Sequence, residues 1–235
     1  SEPTRLLGVL AAAELSDAAI VKIPMSMETN FTLTAEMVEA HVTPKSKILV
    51  LINPNNPTGT VTPPEEVRRI AEVAKKHDLI VISDEIYARL TFGNNTVLPV
   101  AALPDMKERT ITLSGFSKAY AMTGWRIGYL AGPRALIEPM GEVNHALAIS
   151  TAAVSQHAAL AAVSGPQDCV EEMRRLYDAR RRTICEGLDA MGMAYAEPQG
   201  AFYVYADVSS LGLGITAGAF CERLLAEGRV MMYPG

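Results

Sequence analysis

The chain has 235 residues, of which 49% are hydrophobic and 20% charged. It is too apolar for a disordered or collagen-like polymer and long enough for one large domain or two small ones. Twenty-one basic residues against 26 acidic ones leave a net charge of -5 with no long basic run, which argues against nucleic acid as a partner.

The apolar stretch at residues 6–13 is too short to cross a bilayer, and Glu2 stands where a secretion signal would carry positive charge. Leucines at 6, 7 and 10 predict a helix face instead, and no membrane partner is expected. Short apolar runs at residues 20–23, Ile48–Ile52, 79–82, 110–113 and 127–130 read as buried strands. They lack the strict alternation of a half-solvated sheet, as expected where helices cover both faces. Between the second and third runs, Thr62-Pro63-Pro64-Glu65 has capping-box spacing with a proline just inside the start. Val67, Ile70, Ala71 and Ala74 then fall on one helical face. This strand-helix-strand unit predicts an α/β architecture with a mainly parallel sheet flanked by helices.

After about Pro133 the pattern turns helical. Arg134–Ala148, 152–163 and 170–191 predict helices, 193–196 and 202–208 predict strands around Pro198-Gln199-Gly200, and 216–227 predicts a last helix before an apolar run at 230–233. The expected organisation is a sheet domain over 1–133, then a helical connection and a smaller α+β domain over 134–235.

In open parallel sheets, ligands sit in the crevice beyond the carboxyl ends of the strands. There the first of three candidate strands presents Asn53-Pro54-Asn55-Asn56-Pro57-Thr58-Gly59. The next presents Asp84 and Tyr87, and the third Ser114, Ser117, Lys118 and then Arg126. Each piece alone has an ordinary reading as a turn, a helix cap or a solvated lysine. Together they supply an amine that attacks carbonyl carbon, an acid for a pyridinium proton, amide and phenol donors for a phenolate, and hydroxyl plus guanidinium for a phosphate. These are the groups pyridoxal phosphate requires.

Three ordered segments resemble the class I/II aminotransferases of fold type I, which bind pyridoxal phosphate. They are the Asn53 to Gly59 run, Ser83-Asp84-Glu85-Ile86-Tyr87, and Ser114-Gly115-Phe116-Ser117-Lys118-Ala119-Tyr120-Ala121-Met122-Thr123-Gly124-Trp125-Arg126-Ile127-Gly128-Tyr129. The resemblance runs over nearly the whole chain, and Pro198-Gln199-Gly200-Ala201-Phe202-Tyr203 is similar to the family's entry into its small domain. It implies that Lys118 forms the Schiff base with the cofactor and shuttles a proton between the substrate Cα and the cofactor C4′. Asp84 would pair with the pyridine nitrogen, Asn56 and Tyr87 with the ring phenolate, and Ser117 and Arg126 with the phosphate. Gly115 stands where many relatives carry a phosphate-binding serine. The resemblance further implies a homodimer, and an amino acid and a 2-oxo acid as substrates, with 2-oxoglutarate the default acceptor.

The family pattern also includes an upstream phosphate loop, a ring-stacking aromatic and a gating arm, and a downstream arginine that grips the substrate carboxylate. None of these is found between Ser1 and Gly235. The expectation is a fragment lacking both ends, with both domains incomplete, apolar surface uncovered and no activity of its own. Residues 135–172 contain neither lysine nor arginine, which disfavours a dicarboxylate specialist. A C–S lyase on the same scaffold and an aminotransferase-like ligand-sensing module are the alternative readings.

Other features are read as structural. The three cysteines, Cys169, Cys185 and Cys221, form no C-x-x-C pair, which points away from a disulfide framework and toward the cytoplasm. His41, His77, His145 and His157 stand singly, so no metal site is expected. Gly212-x-Gly214-x-x-x-Gly218 is one residue too long for a dinucleotide fingerprint and reads as a loop entering a helix. Trp125 reads as a packing residue.

Overall fold

Runs of β-branched and leucine side chains form three parallel strands, β1 (Ile48–Ile52), β2 (Ile80–Asp84) and β3 (Thr110–Gly115), joined at the edge by an antiparallel β4 (Gly128–Ala131). The structure, a computed structural model, describes residues 7–234, so Leu6 of the first predicted helix face and Gly235 lie outside the described residues. Strand order follows chain order. The register sets Ile52 beside Asp84 and Asp84 beside Leu113, so β1 and β2 end level with one another and β3 runs two residues further. Backbone bonds continue past the strands, from Asn53 N–H to the Asp84 carbonyl and from Glu85 N–H to the Leu113 carbonyl.

Three helices lie in the first part of the chain, α1 (Leu7–Leu15), α2 (Ala35–His41) and α3 (Pro64–Lys76). Helix α3 presents Val67, Ile70, Ala71 and Ala74 to Leu49, Leu51, Leu79 and Val81 of the sheet layer, with Val38 of α2 and Met106 closing the core. Glu65 and Glu66 in its first turn and Lys75 and Lys76 in its last oppose the helix dipole with the favourable sign. The capping box does not form. Pro63 is the N-cap and Pro64 follows it, so the first two amide donors are absent by chemistry. Thr62 is instead pulled inward, its N–H donating to Asn53 Oδ1 at 3.0 Å and its carbonyl accepting from Asn53 Nδ2 at 3.2 Å.

Two further expectations are corrected. Residues 20–23 form no strand, because Pro24 ends the run and only Ile23 packs against the core, while Val21 is exposed. Helix α2, unpredicted, is started by Thr34, whose hydroxyl accepts the Met37 N–H. Nor is the sheet covered on both faces throughout. All four residues of β4 are exposed, and α4 (Arg134–Ala148) buries none, leaving Tyr129, Leu130, Val143 and Leu147 uncovered. Trp125 is also largely exposed rather than packed; its carbonyl accepts the Ser155 hydroxyl at 2.7 Å. No described helix is long and apolar enough to cross a membrane.

Beyond α4 come α5 (Ala153–Ser164), α6 (Asp168–Met191), a short antiparallel pair β5 (Tyr195–Ala196) and β6 (Tyr205–Ala206), and α7 (Ala217–Gly228). The two predicted late strands contract to two residues each because residues 198–203 pair elsewhere. Gln199 and Gly200 N–H both donate to the Gly59 carbonyl, and Gln199 Oε1 accepts the Val61 N–H. On the opposite side, Phe92 N–H donates to the Gln199 carbonyl and Ala201 N–H to the Leu90 carbonyl. The segment is thus clamped between the loops that follow β1 and β2.

Glycine is needed at two places in this clamp. A Cβ on Gly59, which has φ +72°, would stand 2.8 Å from the Tyr203 carbonyl, and one on Gly200 would stand 2.7 Å from the Pro54 ring. Gly200→Ala is therefore expected to lower stability by about 1–3 kcal/mol through overpacking. Gly187→Ala in α6, where a Cβ meets open space, is expected to raise it by roughly 0.5–1 kcal/mol. Urea denaturation of the two variants side by side checks the sign of each.

Candidate active site

Asp84 is the last residue of β2, held at the sheet end by pairing on both sides. Its Oδ1 accepts the Ile86 N–H at 3.1 Å, which fixes the turn that follows. Burial pushes the carboxyl above its ordinary value, against a smaller pull downward from that N–H. Burial likewise raises Glu85, whose Oε1 takes the Ser83 hydroxyl at 2.9 Å.

The turn delivers Tyr87 into a small core with Leu90 and Ala201, only 3% exposed. Its hydroxyl lies 2.5 Å from that of Tyr203. Burial, then the Tyr203 bond, hold the phenol in its neutral form far above its ordinary range.

Lys118 follows the end of β3 and is half-buried. Its Nζ lies over two ring faces, 5.6 Å from the centre of Tyr87 and 5.2 Å from that of Phe202, an arrangement that favours a cation. It forms no ion pair among the described residues, and neither does Asp84. Phe202 is set by Tyr177 of α6, stacked on it at 5.5 Å, and by edge contact with Tyr87 at 5.4 Å.

The structure therefore brings together Asp84, Tyr87 and Lys118 of the predicted set. Asn56 and Ser117 are half-buried in the loops after β1 and β3, and neither side chain makes a hydrogen bond among the described residues. Arg126 is exposed, with φ +52°, and its Nη1 donates to the Thr123 carbonyl at 3.2 Å. No described contact joins these three to the Lys118 cluster.

Residue-by-residue reading missed Phe202, Tyr203 and Tyr177 as part of this cluster. The Gly-Ala-Phe-Tyr run held the signal, since a glycine before two aromatics marks a close backbone approach. Gly115 has a steric explanation. It faces Gly128 across β3 and β4, and a Cβ there would stand 2.9 Å from the Gly128 Cα, so a serine would force the strands apart.

The profile of the family described as aminotransferase class I and II matches residues 9–235. The chain belongs to that family. An aspartate aminotransferase of Musicola paradisiaca is 40% identical over 96% of the chain and 56% of its own length. Among solved aminotransferase structures, the aromatic aminotransferase from Pyrococcus horikoshii superposes with TM-score 0.93 at 36% identity, over 97% of this chain and 61% of that one. A Thermus thermophilus aspartate aminotransferase mutant gives TM-score 0.89 at 36% identity, over 94% and 57%. The chain thus spans little more than half the length of these aminotransferases.

Enzymes of the class I and II aminotransferase family depend on pyridoxal phosphate. The donor set here fits that group. An amine, a half-buried carboxylate and a neutral phenol stand near one another at the strand ends, with amide, hydroxyl and guanidinium donors in the loops that follow.

Proposed function

We propose that the chain works within a pyridoxal phosphate-dependent aminotransferase that moves the amino group of an amino acid to a 2-oxo acid, with 2-oxoglutarate as acceptor. The observation that carries this reading is the gathering of Lys118, Asp84 and Tyr87 at the ends of two adjacent parallel strands.

When bound, pyridoxal phosphate supplies the electron sink that stabilises charge as a proton leaves the α-carbon of the amino acid. Lys118 Nζ would be the group that holds the cofactor until the substrate amine takes its place. The freed amine would then take up the α-proton and deliver it to the cofactor carbon C4′. Asp84 holds a proton on the ring nitrogen, an electrostatic task suited to a buried carboxylate. Tyr87 donates to the phenolate oxygen together with Asn56, and Ser117 with Arg126 receives the phosphate. In this reading residues 1–133 carry the cofactor and residues 134–235 supply the aromatic wall, in a homodimeric cytoplasmic enzyme. Aspartate and aromatic amino acids, named by the relatives, are the first donors to screen.

Borohydride reduction of the protein with pyridoxal phosphate, followed by peptide mapping, tests the site. A pyridoxyl adduct confined to Lys118 is expected, and an adduct spread over surface lysines would overturn the assignment. Amino acid added alone should convert the bound cofactor to its amine form; release of pyruvate and ammonia would favour a lyase.

A further inference from the structure

Tyr87 alone does not explain why a second phenol sits against it. A phenol has one proton to give. If Tyr87 gives that proton to Tyr203, it meets an anionic ring oxygen with lone pairs and repels it. If Tyr203 gives its own proton to Tyr87, the Tyr87 proton is free to point outward. The 2.5 Å separation accommodates either direction.

The pair is built rather than incidental. Tyr87 is buried, so water does not readily stand in for Tyr203. The stretch leading to Tyr203 is fixed by the backbone bonds of Gln199, Gly200 and Ala201 to two loops, and its ring is wedged against Tyr87 and Phe202 at 5.6 and 4.8 Å.

We propose that Tyr203 is a positioning residue: it donates its hydroxyl proton to Tyr87 when an anionic ring oxygen occupies the pocket, turning Tyr87 into a donor toward that oxygen. This rests on the cofactor site just described. No bond to hydrogen breaks; two hydroxyls rotate. The chain Tyr203 to Tyr87 to oxyanion strengthens itself, because each donor polarises the next. The partner also helps keep Tyr87 neutral, since burial and the Tyr203 bond both oppose its ionisation. Because Tyr203 belongs to the late segment, Tyr87 has this donor only when that segment is seated.

The test uses 4-deoxypyridoxine 5′-phosphate, which lacks the aldehyde and so binds without reacting at Lys118. Its dissociation constant is measured calorimetrically for the wild type, Tyr203→Phe, Tyr87→Phe and the double variant. Tyr203→Phe is expected to weaken binding about three- to tenfold and to cost nothing further in the Tyr87→Phe background. It should also move the pH midpoint of the absorbance of bound pyridoxal phosphate upward. Equal losses in both backgrounds, or none in either, would overturn the positioning role while leaving the cofactor site intact. A wild-type protein that takes up neither compound would overturn the site itself and this role with it.

Discussion

Lys118→Ala is expected to abolish amino transfer by the intact enzyme, a loss on the order of 10⁴-fold or more, because the proposed mechanism makes one side chain both the anchoring nucleophile and the proton carrier. Stability should change little. Lys118 is half-buried, makes no ion pair among the described residues, and has contacts with two ring faces worth about 0.5–1 kcal/mol each at such a site. Product 2-oxo acid counted in a single turnover, beside a thermal melt, separates the two effects. A variant that keeps a hundredth of the activity, by the scale of that estimate, would remove Lys118 from the reaction.

The second large effect carries opposite signs for activity and stability. Asp84→Asn should lower turnover roughly 10²–10³-fold, the usual cost of one misassigned electrostatic partner. Yet it should stabilise the cofactor-free protein near neutral pH. Burial raises the folded-state pKa of Asp84 above its ordinary 3.8, so the folded chain holds this proton more tightly than the unfolded chain. The stability this provides is full below pH 3.8 and is lost as pH rises through the higher folded value. Above that point the buried charge opposes folding, and asparagine carries none while still accepting the Ile86 N–H. The gain is reinforced at Glu85, which the Asp84 charge pushes upward. Melting curves across the acid range should show the variant ahead at neutral pH and level with wild type near the ordinary carboxylate pKa. A variant that melts below wild type at neutral pH would contradict the desolvation account.

Much of this site was legible because strand ends in a parallel sheet are fixed by short apolar runs. The runs before Asp84 and Lys118 set their polar successors near Tyr87, whereas Asn56 after Ile48–Ile52 makes no described contact with them. Boundaries failed where tertiary contacts overrode local pattern. Residues 20–23 have strand composition but no partner, and Thr62 has cap chemistry but lies one residue before the helix cap, Pro63, with its backbone held by the Asn53 amide. Helix α2 carries start signals in Thr34 and Glu36, but seven residues are too few for a helical periodicity to show. Phe202 and Tyr203 were hidden for a different reason. Their role comes from pairing across 138 residues of sequence, from Gln199 back to Val61, which no periodicity reports.

That long-range clamp has a consequence for the chain as it is made. The sheet and Lys118 leave the ribosome well before Tyr203 does, by on the order of ten seconds at ordinary elongation rates. During that interval Lys118 has neither Phe202 beneath it nor a seated partner for Tyr87, and the loops after β1 and β2 have nothing between them. Closing so long a loop adds an entropic cost, so the pocket becomes native after the sheet that carries it. Its completion therefore reports that translation has reached at least residue 203, and a chain interrupted earlier would carry a folded sheet with an unfinished site.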